Sequence, residues 1–369
     1  MSTGASAMDR SDLIFPPEPW HNHASCLVEL PNRDLVVCWY HGSGEREADD
    51  VLIECAKLPA GTDQWTDRFL LADTPGYPDC NPILFLDGRA RLWLVYVTIL
   101  ANEWHTALLK YHVSSDYRQA GPPRWETSGV LHVTPGEEFS AAVGGVSDTD
   151  FARIRTQWQS LASDKLLRRL GWMPRAHPAL LDRGRIVLPL YSDGFGFSLM
   201  LLSDDNGETW HTSSPLVSLG GVQPTVVQRR DGVLVAFMRD NGPSPGRVMR
   251  SESRDLGETW SPVRRTDIPN PGSGLEVTRL ASGAWLMICN DVDDGRYRLA
   301  AMLSEDEGGT WPYRQYLEND APGPGSGSYS YPSAIQAQDG TIHVSYTYAR
   351  RDLGSAIKHA SFAEAWLHT

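Results

Sequence analysis

The sequence lacks an excess of positive charge. Its 369 residues include 33 lysines and arginines against 46 aspartates and glutamates, which gives a formal net charge of −13. Nucleic-acid-binding domains normally present a basic face to the phosphate backbone, so this balance argues against a nucleic-acid partner. It leaves room for an acidic small ligand, because a few clustered arginines can form a local positive site on an acidic protein.

Long apolar runs are also missing. No stretch approaches the roughly 18 consecutive apolar residues of a membrane-spanning helix, so we expect no membrane segment. The first ten residues, Met1–Arg10, contain neither a basic start nor an apolar run. No signal peptide is therefore visible, and a cytoplasmic protein is expected.

Cysteine is scarce, and its five copies lack the spacing of metal ligands: Cys26, Cys38, Cys55, Cys80 and Cys289. Most of them lie in apolar, strand-like patterns. We therefore expect buried, reduced thiols, no metal site and no cofactor.

Glycine (33), proline (25) and tryptophan (13) are plentiful, as in proteins made of many short strands and turns. One eight-residue pattern, Ser-x-Asp-x-Gly-x-Thr-Trp, occurs three times at starts 50 and 51 residues apart, in Ser203–Trp210, Ser253–Trp260 and Ser304–Trp311. A repeat period near 50 residues is typical of one propeller blade.

The pattern has the chemistry of a tight turn. Ser and Asp side chains bind backbone groups, the Gly supplies a left-handed position, and the Trp buries its ring beside the next strand. This motif resembles the Asp-box of the sialidase superfamily, which implies a sialidase-like β-propeller. We expect these residues to be structural, so function has to be argued from other positions.

Six strand-turn-strand units fit the chain as one domain, residues 1–369, and predict a six-bladed propeller. Their inner turns fall at Pro31–Asp34, Asp87–Gly88, Asp182–Gly184, Asp231–Gly232, Ala281–Gly283 and Asp339–Gly340. About 60 extra residues, an insertion at 117–172, separate units two and three. Within it, Asp148–Leu170 has apolar residues at helical spacing and predicts one or two amphipathic helices. The insertion either packs on the propeller, covers the site as a lid, or joins copies into a homo-oligomer.

The innermost strand of each blade begins near the axis, so residues at these starts converge on one mouth. The strand starts and the ends of the next strands are rich in polar residues: His21, His23, Asn81, Arg175, His177, Gln223, Tyr331, His41, His105, Tyr191, Asp193 and Arg239. So many polar residues at the mouth predict a functional cleft rather than packed core.

Two mouth positions resemble the catalytic pair of sialidases. Tyr331 lies eight residues before the turn residue Asp339, where a sialidase carries its tyrosine nucleophile. Gln223 lies eight residues before Asp231, where a sialidase carries the glutamate that activates the tyrosine. The resemblance thus implies a catalytic role for Tyr331, with an amide in place of the expected carboxylate.

Arg239 resembles the second arginine of the triad that binds the substrate carboxylate in sialidases, and Arg296 is a candidate for the third. The first arginine would open blade one in an Arg-Ile-Pro motif, where this chain has His23-Ala24-Ser25. The general-acid aspartate would fall within Glu45–Asp50, where several acidic residues leave the choice open.

These departures weaken the case for an ordinary sialidase mechanism. A missing arginine removes a bidentate carboxylate partner, and glutamine cannot serve as a general base. A tyrosine with the ordinary pKa of about 10 is a weak nucleophile until its proton is removed.

Histidines suggest another chemistry. His21 or His23 and then His41 lie on adjacent strands of blade one, and we expect a histidine pair aimed at the mouth. Such a pair with Tyr331 and arginines suits β-elimination at a uronic acid. The constellation resembles propeller polysaccharide lyases that cleave ulvan or rhamnosyl-glucuronate linkages. Strand register can slip by one residue and flip both histidines, so the sequence does not decide which of His21 and His23 faces the axis.

The sequence therefore predicts an enzyme that cleaves a glycosidic bond at a terminal acidic sugar of an oligosaccharide or glycoconjugate. The leading hypothesis is a lyase with His23, His41 and Tyr331 as catalytic residues. Substrate-binding roles are expected for His21, Arg175, His177, Gln223, Arg239, Arg296 and His105. The alternatives are a hydrolytic exo-α-sialidase with a modified site, and a non-catalytic sugar-binding propeller.

Overall fold

Each repeat folds into one antiparallel sheet, and six such sheets form a ring of blades. The computed structural model describes residues 8–144 and 152–369. The innermost strands of neighbouring blades contact each other in sequence order, and the last contacts the first. The chain is thus a six-bladed β-propeller, as the repeats predicted.

The first three blades contain strands β2 to β14. Blade one has β2 (His21–Glu29), β3 (Leu35–Gly42), β4 (Leu52–Leu58) and β5 (Phe69–Ala72). Blade two has β6 (Asp79–Leu86), β7 (Leu92–Ile99), β8 (Ala107–Ser114) and β9 (Thr127–Val130). Blade three has a divided innermost strand, β10 (Met173–Pro174) and β11 (Ala179–Leu180), then β12 (Ile186–Ser192), β13 (Phe197–Ser203) and β14 (His211–Thr212).

The last three blades complete the ring. Blade four has β15 (Gly221–Gln228), β16 (Leu234–Asp240), β17 (Arg247–Ser253) and β18 (Arg264–Pro269). Blade five has β19 (Glu276–Arg279), β20 (Trp285–Cys289), β21 (Arg298–Ser304) and β22 (Tyr313–Asn319). Blade six has β23 (Ser328–Gln336), β24 (Ile342–Arg350) and β25 (Gly354–Phe362), and its outermost strand is β1 (Arg10–Leu13).

Blade six is closed by residues from both ends of the described chain. Strand β1 pairs antiparallel with β25, from Arg10 opposite Ser361 to Leu13 opposite Lys358. This pairing covers an edge that would otherwise expose free backbone hydrogen-bonding groups. No local pattern predicts this pairing, because β1 and β25 are far apart along the chain.

The three Asp-box motifs form the turns between the third and fourth strands of blades three, four and five. In the first, Asp205 Oδ1 accepts hydrogen bonds from the backbone N–H groups of Glu208 and Thr209, both at 2.9 Å. Trp210 donates its indole N–H to the Gly207 carbonyl at 3.0 Å. These contacts are local, so the motif is structural as expected.

Four innermost strands share a bulge at the same height. The residues Ala24, Asn81, Gln223 and Tyr331 have left-handed backbones with φ between 51° and 53°, and the strand register shifts around each. Such backbone geometry is uncommon outside glycine and often occurs at functional sites. A bulge re-aims the side chain it carries, and these four bulges ring one end of the axis.

In the described part of the chain, three α-helices lie between blades two and three. Helix α1 spans Glu137–Gly144, α2 spans Ala152–Ser163 and α3 spans Lys165–Arg169. The predicted segment, Asp148–Leu170, contains α2 and α3, and α1 was not predicted. Residues 148–151 of the predicted segment lie outside the described residues. Phe139 of α1 and Trp158 of α2 are buried against Phe197 of blade three, with ring centroids 6.0 and 5.4 Å away. The insertion therefore packs on the propeller.

All five cysteines are free and buried. Within residues 8–144 and 152–369, no helix combines the length and the apolar character needed to cross a membrane.

Candidate active site

Tyr331 lies at the centre of the candidate site, on the bulge of β23. Its hydroxyl accepts a hydrogen bond from Arg239 Nη1 at 3.0 Å. Two further guanidinium groups lie over its ring, with Arg296 at 5.2 Å and Arg175 at 5.0 Å from the centroid. Three cations surround one phenol, which favours the phenolate and any carboxylate that binds beside it.

Two opposing effects set the pKa of Tyr331. Burial raises it, but Arg239 and Arg296, with a smaller contribution from Gln223, lower it below the ordinary value of 10.0. Among the residues that the structure describes, no carboxylate is hydrogen-bonded to this hydroxyl. The arginines, rather than a neighbouring base, therefore ease the loss of its proton.

Gln223, on the bulge of β15, joins Tyr331 to buried polar groups. Its Oε1 accepts a hydrogen bond from Arg239 at 3.2 Å, and its Nε2 donates to the Tyr191 hydroxyl at 3.3 Å. Asn81 donates to the same Tyr191 hydroxyl at 3.1 Å. The amide thus positions Arg239 without placing a negative charge beside the phenol.

Blade one supplies an aromatic cluster against Tyr331. The ring of His23 meets the ring of Tyr331 edge-on, with centroids 4.4 Å apart and planes at 83°. His21 lies 5.1 Å from His23, and its Nε2 is 3.0 Å from Glu45 Oε2. The Tyr40 hydroxyl donates a hydrogen bond to the same Glu45 oxygen. His23 is therefore the histidine at the axis, and His21 lies behind it.

The charge states of this cluster differ between its members. Burial lowers the pKa of His23 well below the ordinary 6.5, so its imidazole is neutral near neutral pH. Burial raises the pKa of Glu45, but the hydrogen bond from His21, the nearby His23 and the hydrogen bond from Tyr40 lower it to about 2. Glu45 is therefore an ionised carboxylate, while His23 is a neutral base.

A further carboxyl group, Asp193, lies on the loop after β12 at the edge of the mouth. It is accessible to solvent, yet enclosure by the surrounding loops raises its pKa, and Arg239 and Arg46 oppose this rise. A carboxyl group at the edge of the mouth can exchange protons with a ligand bound beside Arg239.

The predicted pair of His23 and His41 does not form. In the register of β2 and β3, His23 lies opposite Tyr40, whereas His41 lies opposite Asn22. Successive side chains of a strand point to opposite faces of the sheet, so His41 turns away from Tyr331. There its Nδ1 lies 2.9 Å from Asn22 Oδ1 and 3.6 Å from Glu18 Oε1. The structure therefore places His41, a predicted catalytic residue, outside the cluster around Tyr331.

Arg175 is close to Tyr331 but does not open to the mouth. It is 4% exposed and donates to the carbonyl oxygens of Ser25 and Pro332 at 3.3 and 3.2 Å. The innermost strand of blade three is interrupted here, so the side chain fills the axis beneath the phenol. Arg175 supplies charge to Tyr331 rather than a contact to substrate, which corrects its predicted role.

His177 also lies below the mouth. His177 follows Arg175 by two residues, a step of about 7 Å along an extended chain, so it lies further down the axis. Its Nδ1 lies 2.6 Å from Glu276 Oε1, and its Nε2 lies 2.8 Å from the Leu27 carbonyl. It lines a cavity of about 490 Å³ formed by the later residues of the innermost strands of blades three to six. This cavity, although large, opens away from Tyr331 and holds none of the candidate catalytic groups.

His105 lies apart from the Tyr331 cluster as well. It lines a cavity of about 290 Å³ between the helical insertion and blade three, with Leu167 and Phe195 among its neighbours. The predicted direct substrate contact by His105 is therefore not supported by its position.

The structure brings together six of the predicted residues: Tyr331, His23, His21, Gln223, Arg239 and Arg296. Sequence reasoning gave no role to Tyr40, and it left Glu45 as one of several acidic residues. Both could have been found by pairing β2 with β3, since that register places Tyr40 opposite His23. Glu45 then follows from its position in the loop just after β3.

Within the described part of the chain, no three or more His, Cys, Asp and Glu side chains form a group that could hold a metal ion. The site instead offers two arginines for a carboxylate, a neutral imidazole, and a phenol with a lowered pKa. This combination can bind an acidic sugar and transfer protons at the atoms beside its carboxylate.

The sequence profile of the family described as BNR repeat-like domain matches residues 33–150 and 155–344. A sialidase from Paraclostridium sordellii is 29% identical over 161 residues, which cover 38% of this chain and 39% of that protein. The match thus spans well under half of the curated relative.

Solved structures share the fold at low identity. The intramolecular trans-sialidase from Ruminococcus gnavus superposes with a TM-score of 0.72 at 14% identity, covering 99% of this chain and 100% of that one. A sialidase from Streptococcus pneumoniae gives 0.70 at 14% identity, covering 96% and 71%. A Dyadobacter fermentans protein of unknown function gives 0.73 at 16% identity, covering 97% and 99%. At such identities the likeness is one of fold.

Proposed function

The chain belongs to the family of BNR repeat-like domains, and from that premise we propose that it cleaves a glycosidic bond next to an acidic sugar at the end of an oligosaccharide. The sialidase relative and the sialidase-like fold support glycosidic-bond cleavage in general. The choice of reaction rests on the residues around Tyr331.

Recognition of the acidic sugar falls to Arg239 and Arg296. Both are partly exposed, and both lie beside the Tyr331 phenol, within 3.0 Å of its hydroxyl and 5.2 Å of its ring centroid respectively. Guanidinium groups bind carboxylates through paired, charge-assisted hydrogen bonds. A carboxylate held there would lie above Tyr331, with His23 beside it.

The neutral, partly exposed His23 is the observation that favours β-elimination. Its ring contacts are with His21, Tyr40 and Tyr331, and no hydrogen bond to another described residue occupies its nitrogens. A neutral imidazole without a partner is ready to accept a proton. The glutamate that would activate the tyrosine of a hydrolase is Gln223 in this chain.

The reaction we propose acts on a uronic acid that carries the departing sugar on its O4 oxygen. His23 takes the proton from C5, whose acidity rises because Arg239 and Arg296 neutralise the adjacent carboxylate. The C5–H electron pair forms the C4–C5 double bond, and the bond from C4 to the glycosidic oxygen breaks. The Tyr331 hydroxyl, or the Asp193 carboxyl, donates a proton to the departing oxygen. The products are an unsaturated uronate and a sugar with a free hydroxyl, so no water is consumed.

Hydrolysis is the second candidate, and the lowered pKa of Tyr331 favours it. A phenolate stabilised by Arg239 and Arg296 could attack the anomeric carbon without a neighbouring base. Asp193, with its raised pKa, would then protonate the leaving oxygen. Water would release the sugar and enter the product.

A product assay tests the proposal. The protein is incubated with oligosaccharides that end in a uronate glycosylated at O4 and with sialylated oligosaccharides, and ultraviolet absorbance of unsaturated uronate is followed together with release of saturated acidic sugar. We expect absorbance to rise with a uronate substrate. The rate of this rise should be at least about a hundredfold lower in His23→Ala and in Tyr331→Phe. Arg247→Ala, which removes an exposed ion pair with Asp293, is the control and should leave the rate unchanged.

Other outcomes identify the alternatives. Release of saturated acidic sugar without absorbance, abolished by Tyr331→Phe, would replace elimination by hydrolysis. Binding of acidic sugars without turnover of any would contradict catalysis and favour a sugar-binding propeller.

A further inference from the structure

A second groove opens on the same face of the propeller as Tyr331. It has a volume of about 490 Å³ and runs between blades six and one. Its walls include Trp20, His21, Ser43, Ser328, Arg350 and Arg351. None of these residues belongs to the Asp-box turns or to the helical insertion.

The groove is continuous with the candidate active site through two histidine rings. His21 lines the groove and lies 5.1 Å from the ring of His23, which lies 4.4 Å from that of Tyr331. Ser328 begins β23, the strand that carries Tyr331 three residues later. A ligand that projects from the Tyr331 site toward blade six would therefore enter this groove.

Trp20 provides a fixed, flat apolar surface in the groove. It is 49% exposed, although burial of an indole ring is normally favourable. The ring of His41 lies 5.7 Å from the Trp20 ring. The backbone carbonyl of Trp20 accepts a hydrogen bond from Ser355 Oγ at 2.8 Å. His41, which turned away from Tyr331, is thus part of the support of this tryptophan.

The opposite wall carries cations and hydroxyl groups. Arg350 is held by Asp320 at 3.2 Å and by the Tyr348 hydroxyl at 3.1 Å. Arg351 is exposed, and the structure records no hydrogen bond or ion pair for it with any described residue. A sugar ring matches such a groove, because it presents C–H groups on one face and hydroxyl groups around its rim.

The hairpin that carries these arginines needs a glycine to reach its position. Gly354 has a φ of 92°, and a Cβ there would lie 2.0 Å from the Glu18 carbonyl oxygen. The close approach brings the hairpin of blade six against the segment before Trp20 and so forms both walls of the groove.

We propose that this groove binds the sugar residue joined to the acidic sugar across the scissile bond, with its ring stacked on Trp20 and its hydroxyl groups bonded to Arg351. The inference rests on the proposed function, since it takes the acidic sugar at Tyr331 as its fixed point. It makes Trp20 a specificity-determining residue, whichever of the two bond-cleavage routes operates.

Calorimetric binding in the Tyr331→Phe background tests this inference without turnover. The monosaccharide probes are glucuronic acid and N-acetylneuraminic acid, and the extended probes are a rhamnosyl-glucuronate disaccharide and 3′-sialyllactose. One of the two extended probes is expected to bind, and adding Trp20→Ala should weaken its binding by about tenfold. The affinity for the matching monosaccharide should stay unchanged. Arg351→Ala should act in the same direction, and Trp20→Phe should retain most of the affinity.

Tyr77→Ala is the matched control. Tyr77 is a similarly exposed aromatic residue, at 43%, on the connection that enters the innermost strand of blade two, and it does not line the groove. Equal affinities of the Trp20→Ala and parent proteins for the extended probes would overturn the inference.

Failure of the proposed function gives a different result. In that case neither monosaccharide binds, and Arg239→Ala leaves the affinity for every probe unchanged. An extended probe that still binds in a Trp20-dependent way would then keep the groove as a sugar site. Binding of no probe at all would overturn both proposals.

Discussion

At the scale of single residues, the charge state of each side chain in the site follows from its neighbours. Arg239 and Arg296 outweigh desolvation and lower the pKa of Tyr331, whereas desolvation outweighs the opposing charge of Glu45 and keeps His23 neutral. Glu45, which accepts hydrogen bonds from His21 and Tyr40, stays ionised. The site thus places a neutral imidazole base beside a phenol with a lowered pKa, and no carboxylate lies between the two rings.

The neutral state of His23 predicts the acid limb of the pH profile. Since kcat/KM reports the free enzyme, activity should fall only when His23 becomes protonated, at a pH well below 6.5. We expect nearly full kcat/KM at pH 6.5 with the substrate identified in the product assay. A limb at or above pH 6.5 in the wild type would show that His23 is not the base. If the residual activity of His23→Asn shows no acid limb, that result would support His23 as the base.

At the scale of elements, the bulges of the innermost strands position the site. Tyr331 and Gln223 occupy the bulges of β23 and β15, and Ala24 occupies the equivalent bulge of β2. A left-handed backbone costs about 1 to 3 kcal/mol for a residue other than glycine. The fold accepts this cost in four blades, because the bulges direct side chains to one mouth.

Ala24 allows the strain to be measured at a residue whose own side chain takes no part in the proposed reaction. Glycine adopts its φ of 53° without steric penalty, so Ala24→Gly should leave the free energy of unfolding unchanged or raise it by up to about 1 kcal/mol. Ala236→Gly, at a buried position of β16 with ordinary backbone, should lower it by about 1 kcal/mol. Chemical denaturation of both variants provides the measurement. Equal losses in the two variants would show that the bulge stores no strain.

The elements also show what sequence can and cannot reveal. The Asp-box turns depend on contacts within eight residues, so they identified three of the blades directly. Tyr331 and Gln223 followed from fixed distances to the inner turns at Asp339 and Asp231, and Arg239 from its position at the end of the next strand. His41 was misplaced, because its direction depends on the register of β2 against β3, which the shift after His23 alters. Closure by β1 depends on contacts between distant segments, which no local pattern carries.

At the scale of the whole molecule, an ion pair between the partly exposed His177 and the buried Glu276 joins blades across the axis. Both ring nitrogens of His177 face acceptors, the Glu276 carboxylate and the Leu27 carbonyl, so the ring must donate from both and is protonated. The other oxygen of Glu276 accepts the Ala334 N–H at 2.7 Å. Blades one, three, five and six are therefore connected through one charged pair.

This pair predicts a pH-dependent stability. Burial opposes the charged ring of His177, but Cys26 and Glu276 outweigh it and raise its pKa well above 6.5. A raised folded-state pKa gives stability that is complete below the unfolded value and is lost as pH rises through the folded value. The thermal midpoint should therefore fall in alkaline solution.

Substitution of the histidine separates this effect from general alkaline unfolding. His177→Gln should cost about 3 kcal/mol, because it leaves Glu276 buried without its counter-charge, and should flatten the alkaline decline. His211→Gln, at an exposed ion pair with Glu258, should change neither. An alkaline decline of unchanged size in His177→Gln would show that another group controls it.

The most direct test of the central claim is the fate of solvent oxygen during cleavage. The reaction is run in water enriched in heavy oxygen, with an oligosaccharide that ends in a uronate glycosylated at O4, and the products are reduced with borohydride at once, before anomeric oxygen exchanges with solvent, and analysed by mass spectrometry. Elimination with His23 as base predicts an unsaturated uronate and a released sugar, neither of which gains label at the cleaved bond. A saturated acidic sugar with no unsaturated uronate, and heavy oxygen at the cleaved bond, would contradict elimination and assign Tyr331 to hydrolysis.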